Sequence, residues 1–427
     1  MLIPSRSGDL SSNLADQDFL AEHHAVTRRY FVRMGVVAAL SAIAFPRRVS
    51  GAPFTDKLGV AADPYFTPQE HFVDVSRGKP LPHSLDEEKR AKVGLTRETW
   101  RLDVIGDPEH PPRLARPLSR AAGNALDFPA LLKLGETHAV RFPKLMTCLN
   151  MGCPLGMGLW EGVPLREIIN LTRPRDRYRR VFYYGYHNDE PAQMFRSSLS
   201  IDRILEDPID LPPVIVCYKL NGEWLSPERG GPVRIVVPEA YGFKSIKWLS
   251  HVVISDLYHA NDTYGEQGND VDSPLKTYAS ALVVPPRLKP GEALAVSGYA
   301  QAGISGLTRV QVSVVPAAQT VDESDPTLSG LPWQDAPILP RPARWGALPG
   351  DKIPAKTSGF DDTGRPRSWP LRLTKAHWAA VLPGMPAGLY TFRCRSIDQN
   401  GKAQPMPRPY RKSGFAAIAA IGIEVKA

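Results

Sequence analysis

The sequence is sparing with cysteine, with four in 427 residues, at positions 148, 153, 217 and 394. None forms a CxxC pair or a CxxCH site, which excludes a thioredoxin-like dithiol and a covalently attached c-type haem. There is no HExxH, so the helical zinc-protease arrangement is excluded as well. The glycine cluster GMGLWEG, residues 156–162, lacks the GxGxxG spacing of a dinucleotide loop. No period near 20 residues recurs, which argues against a solenoid. The apolar run from Met34 to Phe45 falls short of the roughly 20 residues a bilayer crossing needs.

Proline and glycine are plentiful, at 42 and 34. Short Val/Ile-rich runs lie between them, a texture of strands and turns. Lys+Arg 52 against Asp+Glu 44 leaves a net charge of +8. That field can steer anions or an acidic partner. The excess is read as spread along the chain, with no basic run, so no nucleic acid is expected as a partner. At the N-terminus, TRRYFVR (Thr27 to Arg33) precedes the apolar run, as in a cleaved signal. The pair Arg28-Arg29 followed by Phe31 resembles a twin-arginine signal. Ser50, Gly51 and Ala52 suggest cleavage nearby, giving a signal peptide over 1–52. The resemblance implies passage through the twin-arginine export machinery, already folded, to the periplasm.

Two units are expected after the signal. Residues 53–274 read as an α+β domain with a mixed sheet. WRLDVIG and the runs at Val181–Tyr186, Val214–Lys219, Val233–Val237 and Trp248–Ser255 are strand-like. A short helix is expected over Phe128–Leu134, with Asp127 as its N-cap. The stretch LWEGVPLREIINL reads as a turn followed by a helix that Pro164 can open. Residues 275–427 carry short strands separated by turns, the pattern of an immunoglobulin-like β-sandwich. A Pro-rich insertion near 317–370 interrupts them and is expected to be an ordered loop or a partner-binding arm. Cys217 in PPVIVCYKL and Cys394 in LYTFRCRSI read as buried small hydrophobes.

Two segments carry chemistry. In KLMTCLNMGCPLGMGLWEGVPLREII, Cys148 ends a strand-like run and opens a Gly/Pro/Asn-rich loop. A thiolate there suits a soft redox metal, although a lone cysteine before a loop is more often structural. In NGEWLSPERGGPVRIVVPEAYGFKSIKWLSHVVISD, Arg229, Arg234, Lys244 and Lys247 surround a strand and a glycine-containing loop. Cationic side chains and backbone N–H groups together make an anion site, and a solvated basic edge is the alternative.

Together, the Cys148-Leu149-Asn150-Met151-Gly152 loop, the Trp160–Leu165 turn, Asn221-Gly222-Glu223, the strand Gly230–Pro238 and Lys247-Trp248-Leu249 resemble the sulfite oxidase family in order and spacing. The resemblance implies molybdenum and molybdopterin as cofactors, with Cys148 ligating the metal. It implies that Arg229, Arg234 and the stretch Ser245-Ile246-Lys247 hold the pterin and its phosphate. Tyr264 and Arg411 fall near substrate-pocket positions. The sandwich would be a dimerisation domain, giving a homodimer. The implied activity is oxygen-atom transfer on a small sulfur-containing substrate, with electrons passed to a separate cytochrome. An S-oxide or N-oxide reductase is the alternative, and a secreted β-rich scaffold or adhesion protein is a second. Two departures weigh on the substrate. His71 to Arg77 lacks the family's arginine in place, and Cys153 stands where a second arginine is usual. A disulfide between Cys148 and Cys153 is conceivable, but a ligating Cys148 leaves Cys153 as a free thiol facing the pocket.

Overall fold

Trp100 anchors the first sheet: its indole N–H donates to the Leu249 carbonyl at 2.7 Å, joining two strands 149 residues apart. The computed structural model describes residues 64–427, apart from 150–153, 261, 273, 323, 406–409 and 415. The expected export signal over 1–52 and the expected free thiol at Cys153 lie outside the described residues.

The strands of the N-terminal unit are β1 (Arg101–Gly106), β2 (Arg113–Leu114), β3 (Leu126–Asp127), β4 (Val140–Thr147), β5 (Pro154–Pro164) and β6 (Pro174–Asp176). They continue as β7 (Arg180–Gly185), β8 (Arg196–Ser200), β9 (Ile215–Leu220), β10 (Glu223–Trp224), β11 (Arg234–Val236) and β12 (Leu249–Ser255). One sheet has the order β3-β1-β12-β7-β8, with β1 and β12 parallel. A second runs β10-β9-β5-β4, with β11 also pairing β9. The two sheets share one core. Leu102, Val104, Val181, Tyr183, Val252 and Ile254 of the first meet Val163, Val216 and Ile235 of the second. Strand alternation sends Ile215 and Cys217 to the opposite face, where they pack with Phe72, Phe142 and Trp160.

The helix at Asp127 is longer than its sequence signal, Phe128–His138, with the Asp127 carboxylate accepting from the Ala130 N–H. Another helix covers Leu165–Asn170 behind Pro164. The Gly-rich stretch read as a loop and turn is instead β5, buried along most of its length. Its glycines are places of close approach. A Cβ at Gly156 would collide with the Phe72 ring, one at Gly158 with Leu220, and one at Gly162 with the Val216 carbonyl. Among the described residues no helix is long and apolar enough to cross a membrane.

The C-terminal unit adds β13 (Tyr278–Val283), β14 (Arg287–Leu288), β15 (Leu294–Gln301), β16 (Arg309–Pro316), β17 (Gln334–Ala336), β18 (Lys375–Leu382), β19 (Gly388–Ile397) and β20 (Ile421–Val425). These form two sheets, β13-β15-β18 and β14-β20-β19-β16-β17. Their shared core includes Val296, Trp378, Val310, Phe392 and Ile423. The Pro-rich stretch packs back onto the N-terminal unit, where Trp345, Leu348 and Phe360 bury Tyr65, Phe66 and Leu159. Thr147 at the end of β4 donates to Gln301 at the end of β15 at 2.7 Å, a polar tie between the units.

Candidate functional site

Cys148 immediately follows β4, where the pairing of β4 with β5 runs out. It borders a cavity of about 300 Å³ together with Met146 and Leu155. A second wall comes from the turn Pro227–Arg229 and the first residue of β11, which supply Arg229 and Arg234. A third is the segment Ser245–Trp248, just before β12. The remaining lining includes Phe72, Val73, Val75, Ser76 and Arg77 from the irregular N-terminal stretch, and His187, Phe195, Phe243 and Tyr264.

Cys148, Arg229, Arg234, Ser245, Ile246, Lys247 and Tyr264, all expected from the sequence, therefore face one space. Arg411 is not among its lining residues; it is exposed, and its backbone N–H donates to the Gly268 carbonyl at 3.3 Å.

The electrostatics of the second and third walls are unusual. Arg234 is buried, yet its guanidinium donates to the backbone carbonyls of Arg229 and Ser245 and to no carboxylate among the described residues. Its plane lies 5.3 Å from the Trp160 ring. Burial pushes it down to about 10, so it remains a cation at neutral pH. Among the described residues, the Nε atoms of Arg229 and Arg234 are buried without a hydrogen-bond partner. Lys247 lies beside them and donates to the Asp74 carboxylate at 2.8 Å and to the Ser76 hydroxyl at 2.7 Å. Burial, then the charge of Arg234, lowers the Lys247 ammonium to about 7 against the pull of Asp74. Gly230 has φ +97°, and a Cβ there would lie 2.8 Å from Lys247 Cβ, so the glycine lets the turn close on this segment.

Buried cations with unused donors are costly unless an anion completes them. Two guanidinium groups and an ammonium lining one cavity make a phosphate-type site, and the thiol of Cys148 offers a soft metal ligand in the same space. The other described cysteines cannot serve. Cys217 and Cys394 are buried, and burial pushes each thiol up to about 12.

Residues 92–262 match the family model described as the oxidoreductase molybdopterin binding domain. Over this stretch the chain is similar to the sulfite oxidase family of molybdopterin oxidoreductases. It is 27% identical over 219 residues to mitochondrial sulfite oxidase of Drosophila melanogaster, covering 50% of this chain and 34% of that one. It is 25% identical over 236 residues to the catalytic subunit of the protein-methionine-sulfoxide reductase MsrP of Campylobacter jejuni, covering 52% and 70%. The sulfane dehydrogenase SoxCD of Paracoccus pantotrophus shares the fold, with a TM-score of 0.50 at 17% identity, over 91% of this chain and 97% of that one. The chain spans only 11% to 34% of the length of the first curated relatives it matches. The cofactor of this oxidoreductase domain is molybdopterin with molybdenum, and the residues around the cavity fit it: the unpartnered Arg229 and Arg234 donors suit its phosphate, and Cys148 suits its metal.

Three residues at or beside the cavity carry no local sequence signal. Asp74, just outside the lining, stands where the resemblance calls for an arginine and instead restrains Lys247. Arg77 does reach the cavity, its guanidinium 4.3 Å from the Phe195 ring centroid. His187 is buried, and its Nδ1–H donates to the Gly185 carbonyl at 2.9 Å, which leaves Nε2 as an acceptor. Burial lowers its pKa, so it is neutral at pH 7. Tyr264 is flanked by Phe195 and Phe243, at 5.4 and 4.3 Å between ring centroids.

Proposed function

We propose that this protein is a periplasmic molybdenum oxidoreductase that transfers an oxygen atom to or from a small sulfur-containing substrate. One observation carries the proposal: among the described residues, the candidate metal ligand and the unsatisfied cationic donors line the same cavity as an aromatic group and Arg77. When bound, the molybdenum cofactor supplies two-electron oxygen-atom transfer. The protein's part is binding and orientation. Arg229, Arg234 and Lys247 hold the phosphate end, and Cys148 fixes the metal. Phe195, Phe243 and Tyr264 exclude water from one side, while Arg77 and the neutral His187 orient a polar group of the substrate.

Sulfite oxidation is the leading direction. The alternative, reduction of an S-oxide or N-oxide, is favoured by Asp74, which engages Lys247 beside the cavity and so leaves less positive charge for a small dianion. Turnover of the molybdenum-loaded protein with sulfite, and then with dimethyl sulfoxide and trimethylamine N-oxide, separates the two. Activity with none of these sinks the substrate reading and leaves the cofactor assignment intact.

The partners follow the same reading: export by the twin-arginine machinery, a cytochrome as electron acceptor, and a homodimer through an immunoglobulin-like C-terminal unit. The exposed Leu282, Val283, Val381 and Leu389 support an apolar contact there. Light scattering tests the dimer, and Val381→Lys should favour the monomer.

A further inference from the structure

The positive charge is not spread evenly over the molecule. The sequence TRPRDRYRR, residues 172–180, holds Arg173, Arg175, Arg177, Arg179 and Arg180. Its strand β6 pairs with β2 to form a two-stranded ribbon outside the larger sheets, with Arg113 opposite Asp176. The pairing continues past the strands, since the Ala115 and Arg116 N–H groups donate to the carbonyls of Arg173 and Thr172.

Most of this charge is uncompensated. Arg113 pairs with Asp176 at 3.4 Å, and Arg179 with Asp256 at 2.7 Å. Arg116, Arg173, Arg175 and Arg177 are exposed and have no acidic partner among the described residues. Arg173 and Arg177 adopt φ of +50° and +58°, a conformation that an L-residue holds at a cost of about 1–2 kcal/mol. The ribbon is flanked by Tyr258, 72% exposed, with the Arg179 guanidinium 4.1 Å from its ring.

The ribbon lies away from the cavity. Strand β7 leaves the ribbon at Arg180, and the chain reaches His187 of the cavity just beyond its far end. At about 3.3 Å per residue the two ends are about 20 Å apart. Strand β12 spans the same distance in the other direction, from Trp248 at the cavity to Asp256 beside Arg179.

We infer that this arginine ribbon is a docking surface for an acidic face of another protein. Arginine forks pair with carboxylates in two-point geometry, and arginine and tyrosine are the side chains enriched at protein interfaces. Anionic lipid surfaces are instead met by flexible polybasic segments or by amphipathic helices with a broad apolar face, and a pinned two-stranded ribbon with one exposed tyrosine is neither.

The test uses the full-length protein and two probes: poly-L-glutamate, and vesicles of phosphatidylglycerol. Poly-L-glutamate should bind, with an affinity that falls as salt rises. The Arg173→Gln/Arg175→Gln/Arg177→Gln variant should lose about tenfold in that affinity, because exposed ion pairs are removed. The corresponding triple lysine variant should recover only part of it, since the ammonium lacks the fork. Molybdenum content and turnover should not change, because these residues stand at the other end of the sheet from the cavity. The inference is overturned if the glutamine variant binds poly-L-glutamate as the parent does. It is equally overturned if both bind the vesicles more tightly than the polypeptide.

Discussion

The Lys247 ammonium and the Asp74 carboxylate are 173 residues apart in the chain and 2.8 Å apart in the structure. Burial alone would raise the Asp74 carboxyl, but Lys247 and the Ser76 donors hold it at about 2, below its ordinary 3.8. A depressed carboxyl contributes stability that is present above the unfolded value. The Asp74 contribution is therefore intact above about pH 4 and lost as pH falls through about 2. Asp74→Asn should flatten that part of an acid-denaturation profile. An unchanged profile would mean that the pair contributes nothing to stability.

Lys247 gives a second pH dependence. Burial and Arg234 lower its ammonium to about 7, and a phosphate group beside it would raise it again. Binding of inorganic pyrophosphate to cofactor-free protein should therefore take up a proton above about pH 7 and weaken as pH rises. Calorimetry in buffers of different ionisation heat reads the proton directly. Affinity that stays level between about pH 7 and 9 in Lys247-containing protein would contradict this assignment.

The cysteines should differ sharply in reactivity. Cys148 is partly exposed at the cavity, whereas Cys217 and Cys394 are buried with thiols pushed up to about 12. In cofactor-free protein, iodoacetamide should alkylate Cys148 well before Cys217 or Cys394. Peptide mass mapping reads the order. In loaded protein Cys148 should be protected, and Cys148→Ser should abolish turnover.

Gly230→Ala probes the turn. Its φ of +97° and its closeness to Lys247 Cβ make a side chain doubly unwelcome. We expect a loss of stability of about 1–2 kcal/mol. Cofactor content should fall further than that loss explains, because the substitution displaces Lys247. Full cofactor content in a folded variant would show that the turn does not shape the site.

Arg77→Ala addresses the substrate end. The guanidinium stacks on Phe195 and has no acidic partner among the described residues. The variant should keep its molybdenum and lose affinity for an anionic substrate, read as a rise in KM of about tenfold. An unchanged KM would place Arg77 outside substrate binding.

What the sequence disclosed was local. Cys148, Arg234 and Lys247 lie in short segments whose order and spacing are informative by themselves, and the structure gathers them at one cavity. Against the motif, the stretch His71 to Arg77 reads only as lacking an arginine in place, which gives neither Asp74 nor Arg77 a role. Their roles depend on contacts with Lys247 and Phe195, which no local pattern carries. Strand β5 was misread because glycine is a loop signal until one knows that Phe72 and Leu220 press against it. Strand β18 carries a weak local signal, since KAHWAAVL lacks a clean alternation, and its Trp378 acquires meaning only inside the second core. Arg411 was placed by analogy in a segment with weak local signal, and its side chain stands outside the cavity lining.

The central claim is that the Arg229–Arg234–Lys247 cluster and Cys148 together hold a molybdenum–pterin cofactor. The most direct test measures molybdenum and pterin per chain in protein made in a host that supplies the cofactor, for the parent and for Arg234→Ala. We expect about one of each in the parent and a marked loss of both in the variant, with circular dichroism showing that it is still folded. A parent protein free of molybdenum and pterin, or a folded variant that retains both in full, would contradict the account.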